Sequence, residues 1–145
     1  MRVFGHPLHP ILVTFPVASF CIGTLHDLAT ASGIAQASPS TGWLCLLIGV
    51  GTSVLALLTG FLEFLRLESS SPATRAAVWH GLLAFSSTSL FATALAVRGS
   101  GRPGLLAIAL ELAGMVLIGV TGWLGGHLVF HHGIAVRDDE RELRK

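Results

Sequence analysis

Apolar residues occupy four long stretches of the chain, separated by short segments rich in Gly, Pro, Ser and charged residues. The stretches cover about 9–31, 43–65, 77–97 and 105–130. Each is long enough for a helix to cross the ~30 Å apolar core of a bilayer, which takes about 20 residues. In lipid every backbone polar group needs an internal partner, so helices are the expected spanning form. The pattern predicts an all-α integral membrane four-helix bundle, folded up-down-up-down, with both termini on the same side.

Composition supports a membrane protein. Of the 145 residues, 52% are hydrophobic and only 12% are charged, whereas soluble domains carry about 25% charged residues. The net charge of +1 provides no basic field for nucleic acid, so the bilayer, not nucleic acid, is the expected partner. We predict one transmembrane domain over residues 1–136 and a charged C-terminal tail over 137–145.

Small residues indicate where helices approach each other. Gly122 and Gly126 are four residues apart, so they share one face of the fourth helix. Such faces let helix backbones pack closely in lipid. We therefore predict that this face packs against a neighbouring helix.

The basic residues suggest an orientation. Seven lie on the side of the termini, namely Arg2, Arg66, Arg75, Arg137, Arg141, Arg144 and Lys145, whereas Arg98 and Arg102 lie on the other side. Lys and Arg collect in cytoplasmic loops. We therefore expect both termini in the cytoplasm.

The predicted topology collects six of the seven histidines at one membrane face, the face on which the termini lie. These are His6, His9, His80, His127, His131 and His132, and Glu63 joins them. Ionisable groups within spans usually mark function, and a neutral imidazole is a common ligand for zinc, copper and iron. His127 and His131 are four residues apart, which lets two imidazoles on one helical face reach one metal.

The opposite face holds fewer polar groups. His26 and Asp27 end the first stretch, and Glu111 lies about two turns inside the fourth. An acid at this depth normally has a partner. We expect Glu111 to pair with His26, or with Arg98 or Arg102 turned inward, and a proton relay from Glu111 to Glu63 is the functional alternative.

Motifs for hydrolysis are missing from the sequence. It has no GxSxG elbow, HExxH motif or Gly-rich phosphate loop, so no catalytic residues are assigned. It also has no CxxCH motif, so any haem would bind without a covalent link.

Several motifs resemble the DUF2231 family of predicted bacterial membrane proteins. They are GHPLHPILVTFP at 5–16, TGFLE at 59–63, His80, GWLGGHLVF at 122–130 and HGIAV at 132–136. The family usually has Asp where this chain has Glu63. The resemblance covers the whole chain and implies a multi-pass protein of a bacterial inner membrane with no assigned function. Some relatives look joined to Rieske iron–sulfur domains, which implies a redox role by association.

The resemblance favours His9, Glu63, His80 and His132 as shared positions, whereas His127 and His131 look less typical. We predict a cofactor site of His9, His80 and His132 for b-type haem, with His9 and His80 as axial ligands. A divalent metal held by His9, Glu63, His80 and His132 is the close alternative. Secondary candidates are His6, His127, His131, His26, Asp27 and Glu111.

Two other functions stay open. One is a non-catalytic membrane scaffold or subunit whose polar cluster is structural. The other is a small transporter or proton-conducting protein, which would need an inverted repeat or broken helices, and the sequence shows no repeat. A homo-oligomer or a redox partner protein is compatible with these interpretations.

Overall fold

The computed structural model of the chain describes residues 2–3, 6–34, 38–67, 69 and 71–134, with the side chains of 2, 3 and 6 left aside. Strands β1 (Arg2–Val3) and β2 (His6–Pro7) form a short antiparallel pair. Four helices follow: α1 (Leu8–Ala31), α2 (Pro39–Phe64), α3 (Pro72–Arg98) and α4 (Leu105–Phe130). All four are long and apolar enough to span a membrane, so the all-α four-helix class is confirmed. The predicted tail, 137–145, lies outside the described residues.

Local sequence sets the ends of α3. The helix begins at Pro72, whose fixed φ suits the first helical position. The Ser71 hydroxyl before it accepts a hydrogen bond from the Ala73 N–H at 3.2 Å. These two features start α3 five residues before the predicted span. The helix ends at Gly99, which has a φ of 56°, so Arg98 is its last residue.

The helices pair into two hairpins, α1–α2 and α3–α4. His9 at the start of α1 contacts Ala56 near the end of α2, and His80 in α3 contacts Thr121 in α4, so the helices within each hairpin are antiparallel. Contacts within each hairpin are much denser than contacts between the hairpins. The bundle is therefore two tight units with a looser interface.

The two hairpins repeat each other. Three pairs of residues on α1 and α3 face each other, and the partners in each pair are 71 residues apart: His9–His80, Phe20–Phe91 and Asp27–Arg98. Helices α1 and α3 therefore run parallel and in register. The expectation that the chain has no internal repeat is wrong, although this repeat is parallel and not the inverted kind.

A pair of stacked aromatic rings forms the centre of the repeat. Phe20 and Phe91 are almost fully buried, and their ring centres are 3.9 Å apart with planes at 5°. Gly49 on α2 and Gly114 on α4 make room for them. A Cβ added at either glycine would come within 2.5 or 2.6 Å of the facing ring, so these glycines let the hairpins close around the stack.

The predicted packing of Gly122 and Gly126 is wrong for the described residues. A Cβ added at Gly122 would meet nothing within 4 Å, and one at Gly126 would meet only Phe130 of its own helix. The packed glycines of α4 are Gly114 and Gly125 instead. Because α4 is apolar all round, its hydrophobic pattern does not show which face turns inward.

Candidate functional site

His9 and His80 meet between the two hairpins. His9 is in the first turn of α1, and His80 lies two turns into α3. Each ring lies against a glycine of its own hairpin partner: a Cβ at Gly60 would come within 2.8 Å of His9, and one at Gly125 within 3.1 Å of His80. The repeat thus presents one histidine from each hairpin to the interface.

Backbone carbonyls fix the tautomer of both rings. His9 Nδ1 is 2.9 Å from the Ala56 carbonyl oxygen, and His80 Nδ1 is 3.0 Å from that of Thr121. A carbonyl only accepts, so Nδ1 donates and Nε2 of the neutral ring keeps its lone pair. Histidines that bind metals almost always donate their other ring N–H in this way. Within the described part of the chain, neither Nε2 atom makes a hydrogen bond.

The distance between the rings fits one metal ion between them. The ring centres are 6.2 Å apart with planes at 81°. Metal–imidazole bonds are about 2.0–2.1 Å, and a ring nitrogen lies roughly 1.1 Å from its ring centre. Two rings on opposite sides of one ion would therefore have centres roughly 6.3 Å apart.

An apolar cavity of about 190 Å³ adjoins the two histidines. All four helices line it, and it extends from His9 and His80 to Phe20. Two serines at its edge are satisfied internally: Ser53 donates to the Gly49 carbonyl at 2.8 Å, and Ser87 donates to the Gly114 carbonyl at 3.0 Å. The imidazole nitrogens are therefore the main atoms of the cavity lining that could bind a ligand.

The opposite end of the bundle holds a buried ion pair. The Arg98 guanidinium donates to the Asp27 carboxylate through Nη1 and to the carbonyls of Pro39 and Gly101 through Nη2, at 3.0 and 3.2 Å. Asp27 is fully buried and Arg98 is 7% exposed. Gly42 makes room for this pair, because a Cβ there would collide with the Asp27 carboxylate.

The expected pairing of Glu111 with His26 is replaced by another arrangement. His26 Nδ1 lies 3.3 Å from Asp27 Oδ1. Glu111 is fully buried, and its polar neighbours are Asp27, Thr24 and Arg98. Within the described residues, neither Glu111 oxygen has a partner at full hydrogen-bond geometry. Arg98 does turn inward, as the alternative held, but its direct partner is Asp27.

A third cluster lies at the end of α4. The candidate ligand atoms of His127, His131 and His132 all lie within 4.8 Å of one another. Partial burial and the neighbouring imidazoles of His131 and His127 lower the pKa of His132. His132 therefore stays neutral to a lower pH than an isolated histidine.

The whole chain was compared with known proteins. The model of the DUF2231 family, described as predicted membrane proteins, matches residues 5–138. The chain belongs to the DUF2231 family. Comparison with curated proteins and with solved structures gave no significant match. Together with its four spanning helices, membership makes this a multi-pass membrane protein.

The fold of this DUF2231 chain brings some predicted ligands together and separates others. His9 and His80 lie beside each other, but α4 continues nine residues past Thr121, roughly 13 Å at the helical rise, before His131 and His132. His132 therefore lies with His127 and His131. In the described part of the chain, the group of three or more ligands within 4.8 Å is that triad, and it does not include His9, Glu63 or His80.

The remaining candidates lie near the histidine end. Glu63 is half-buried in the last turn of α2, on the same helical face as Ala56. The backbone of His6 is in β2, but its side chain lies outside the described residues. Within the described part of the chain, no group of three ligands joins Glu63 to the His9–His80 pair.

Sequence reasoning missed the residues that shape the site in this DUF2231 protein. Gly60 and Gly125 admit the rings, and the carbonyls of Ala56 and Thr121 orient them. The available signal was the spacing. His9 and Phe20 recur after 71 residues as His80 and Phe91, and Gly49 and Gly60 recur after 65 as Gly114 and Gly125.

Proposed function

We propose that this membrane protein binds a redox-active iron centre between its two hairpins, as b-type haem, with Nε2 of His9 and of His80 as the two axial ligands. The observation that carries the proposal is the matched pair of imidazoles. Each donates Nδ1–H to a backbone carbonyl, and their ring centres are 6.2 Å apart.

The surroundings of the pair suit a porphyrin. The cavity is apolar and lies among four helices, and a four-helix bundle with facing histidines is a known way to hold such a cofactor. His9 and His80 would hold the cofactor, one from each hairpin, and the looser packing between the hairpins would let them separate to admit it. When bound, haem would supply one-electron chemistry, and the protein would supply the axial ligands and an apolar site.

Size sets a condition on the proposal. The cavity of about 190 Å³ is below the 300–1,000 Å³ of typical ligand pockets, so a porphyrin requires the hairpins to move apart. A bare metal ion between His9 and His80 requires no such movement and is the second candidate. The same two Nε2 atoms would bind it.

The two other functions have less support from the fold. A transporter or proton-conducting protein would need a polar route, whereas the stacked Phe20 and Phe91 rings lie between Glu111 and the histidine end. A structural scaffold accounts for the Asp27–Arg98 pair but gives no reason for two neighbouring imidazoles that each bond to a backbone carbonyl through Nδ1 only. We place the protein in a bacterial inner membrane with cytoplasmic termini, from its family and the distribution of basic residues.

Absorption spectroscopy of the purified protein tests the haem proposal. Protein from iron-replete cells, or reconstituted with haemin, should show a low-spin Soret band. His80→Ala and His9→Ala should each reduce haem occupancy at least tenfold. His26→Ala, at the other end of the bundle, is the matched control and should leave the band unchanged.

A ligand swap separates direct ligation from a structural role. His80→Met should keep haem bound but raise its reduction potential, because Met/His ligation gives a higher potential than bis-histidine ligation. If no Soret band appears but elemental analysis finds one metal per chain that His80→Ala removes, the bare-ion candidate replaces haem. If neither is found, the scaffold function is the better account.

A further inference from the structure

A cluster of three imidazoles lies at the C-terminal end of α4. It begins at His127, about 9 Å along the helix from Thr121 at the helical rise per residue. The ring centres of His127 and His131 are 4.6 Å apart, and His132 lies 5.1 Å from His127 and 4.9 Å from His131. The cluster is separate from the His9–His80 pair and has no part in the proposed haem site.

Backbone hydrogen bonds at the end of α4 hold the three histidine residues close together along the chain. His127 and His131 are one helical turn apart, and the N–H groups of His131 and His132 both bond to the His127 carbonyl, at 2.9 and 3.4 Å. Gly133 then takes a left-handed conformation with a φ of 63°, as is common just past a helix. Its N–H bonds to the Val129 carbonyl at 3.0 Å.

The following turn is also fixed. The Ile134 N–H bonds to the Leu128 carbonyl at 3.0 Å, and Leu128 is buried. The chain after α4 is thus tied back to the helix, so the backbone of His132 is held one turn from that of His127, and only side-chain rotations change the distances between the imidazoles.

Its chemistry suits a divalent cation. Three imidazoles with a fourth position open is the ligand set of many zinc sites, and the partial negative charge at a helix C-terminus attracts cations. Nitrogens around one zinc ion lie roughly 3.3 Å apart. The present limit of 4.8 Å therefore requires only side-chain rotations, and His131 is exposed and able to turn.

We propose that His127, His131 and His132 form a second binding site, for a divalent transition metal such as zinc or copper, at the end of α4. A shallow depression lined by Trp123, Gly126 and Phe130 adjoins His127 and His131. Water or a small anion would complete the coordination there.

Zinc titration of the untagged protein by calorimetry tests the site, since a polyhistidine tag would itself bind metal. We expect one zinc per chain in the wild type, and at least a tenfold weaker affinity in His127→Ala and in His131→Ala. His26→Ala is a matched histidine control, and His80→Ala controls for the haem site. His26→Ala should bind zinc as the wild type does, and His80→Ala should keep the zinc that depends on His127 and His131, so failure here leaves the haem proposal intact.

Tryptophan fluorescence gives an independent measurement. The Trp123 ring stacks on His127, with centres 5.8 Å apart, so bound Cu²⁺ should quench its emission. Trp123→Phe should remove that quenching without removing copper binding. Absence of zinc binding in the wild type, full binding in the His127→Ala/His131→Ala double variant with native helicity, or one zinc per two chains would each overturn the proposal.

Discussion

His9 and His80 occupy equivalent positions in the two hairpins, and so do Asp27 and Arg98 at the other end of the bundle. The two pairs are chemically different. At one end two imidazole rings lie beside each other, each bound to a carbonyl through Nδ1. At the other end a carboxylate and a guanidinium form a direct ion pair. The same repeat therefore produces an ion pair at one end and two neighbouring imidazoles, with ring centres 6.2 Å apart, at the other.

The difference shows how to separate structural polar groups from ligand-binding ones in a bundle. Arg98 donates through Nη1 and Nη2 to Asp27, Pro39 and Gly101, so its two terminal nitrogens are satisfied within the bundle. Among the described residues, the buried polar atoms at this end that lack a hydrogen-bond partner are Thr24 Oγ1, His26 Nε2, Arg98 Nε and both Glu111 oxygens. His9 and His80 each use Nδ1 for a hydrogen bond to a backbone carbonyl, which leaves Nε2 for a ligand. A buried ion pair with one partner removed is strongly destabilising, whereas loss of one neutral hydrogen bond is not.

Loss of the arginine should have the largest effect on stability. Arg98→Met leaves Asp27 and Glu111 buried together without their cation, and removal of one partner of a buried pair costs about 3–5 kcal/mol. Unfolding by SDS titration in mild detergent should show this loss. Arg102→Met, an exposed arginine near the same end, should be neutral. Equal stability of the two variants would mean that the ion pair contributes little.

Crowding of the Phe20–Phe91 stack, which lies between the two ends, should cause the second largest loss of stability. Gly114→Ala places a methyl group 2.6 Å from Phe91, and overpacking typically costs about 1–3 kcal/mol. Gly119→Ala, five residues later with nothing within 4 Å, should be neutral or slightly stabilising, because alanine favours helix. The same titration compares them, and a stable Gly114→Ala variant would argue that the hairpins can separate at the stack.

The histidine end should matter least for folding. His80→Ala removes one neutral hydrogen bond, which contributes about 0.5–1.5 kcal/mol, while the Thr121 carbonyl keeps its place in α4. Unfolding of the cofactor-free protein should therefore show a smaller loss than Arg98→Met. A loss as large as that of Arg98→Met would make the imidazole pair a structural contact, against the proposed ligand role.

The two ends of the bundle should also lie on opposite sides of the membrane. Reporter fusions after Lys145 and in the Ser32–Gly42 loop should report opposite sides, with Lys145 cytoplasmic, because basic residues favour that side. A periplasmic signal at Lys145 would place the histidine end outside the cell and the ion pair near the cytoplasm.

The sequence was sufficient to predict the spans, because long apolar stretches identify membrane helices without knowledge of packing. It also placed His9 and His80 at one end, since alternating direction follows from four consecutive spans. It could not give the rotation of each helix. Gly122 and Gly125 are equally small, and only the position of His80 makes one of them a contact.

The pairing of polar groups was also hidden. Arg98 lies at the end of α3 beside Gly99, where an arginine is expected to reach toward water, and only the register between α1 and α3 sets it against Asp27. The repeat that fixes this register retains few identical residues. The spacing of 71 residues between His9 and His80 does not indicate a repeat by itself. The structure shows the same spacing in the Phe20–Phe91 and Asp27–Arg98 contacts.

The Phe20–Phe91 stack has a mechanical consequence. It lies eleven residues from His9 and seven from Asp27 along α1, or about 16 Å and 10 Å at the helical rise per residue. If one hairpin tilts by about five degrees around the stack, the imidazoles shift by roughly 1.4 Å and the ion pair by roughly 0.9 Å. A tilt of one hairpin around the stack would therefore move the histidine end farther than the ion-pair end. A change in the distance between His9 and His80 would therefore be accompanied by a change in the angle between the hairpins.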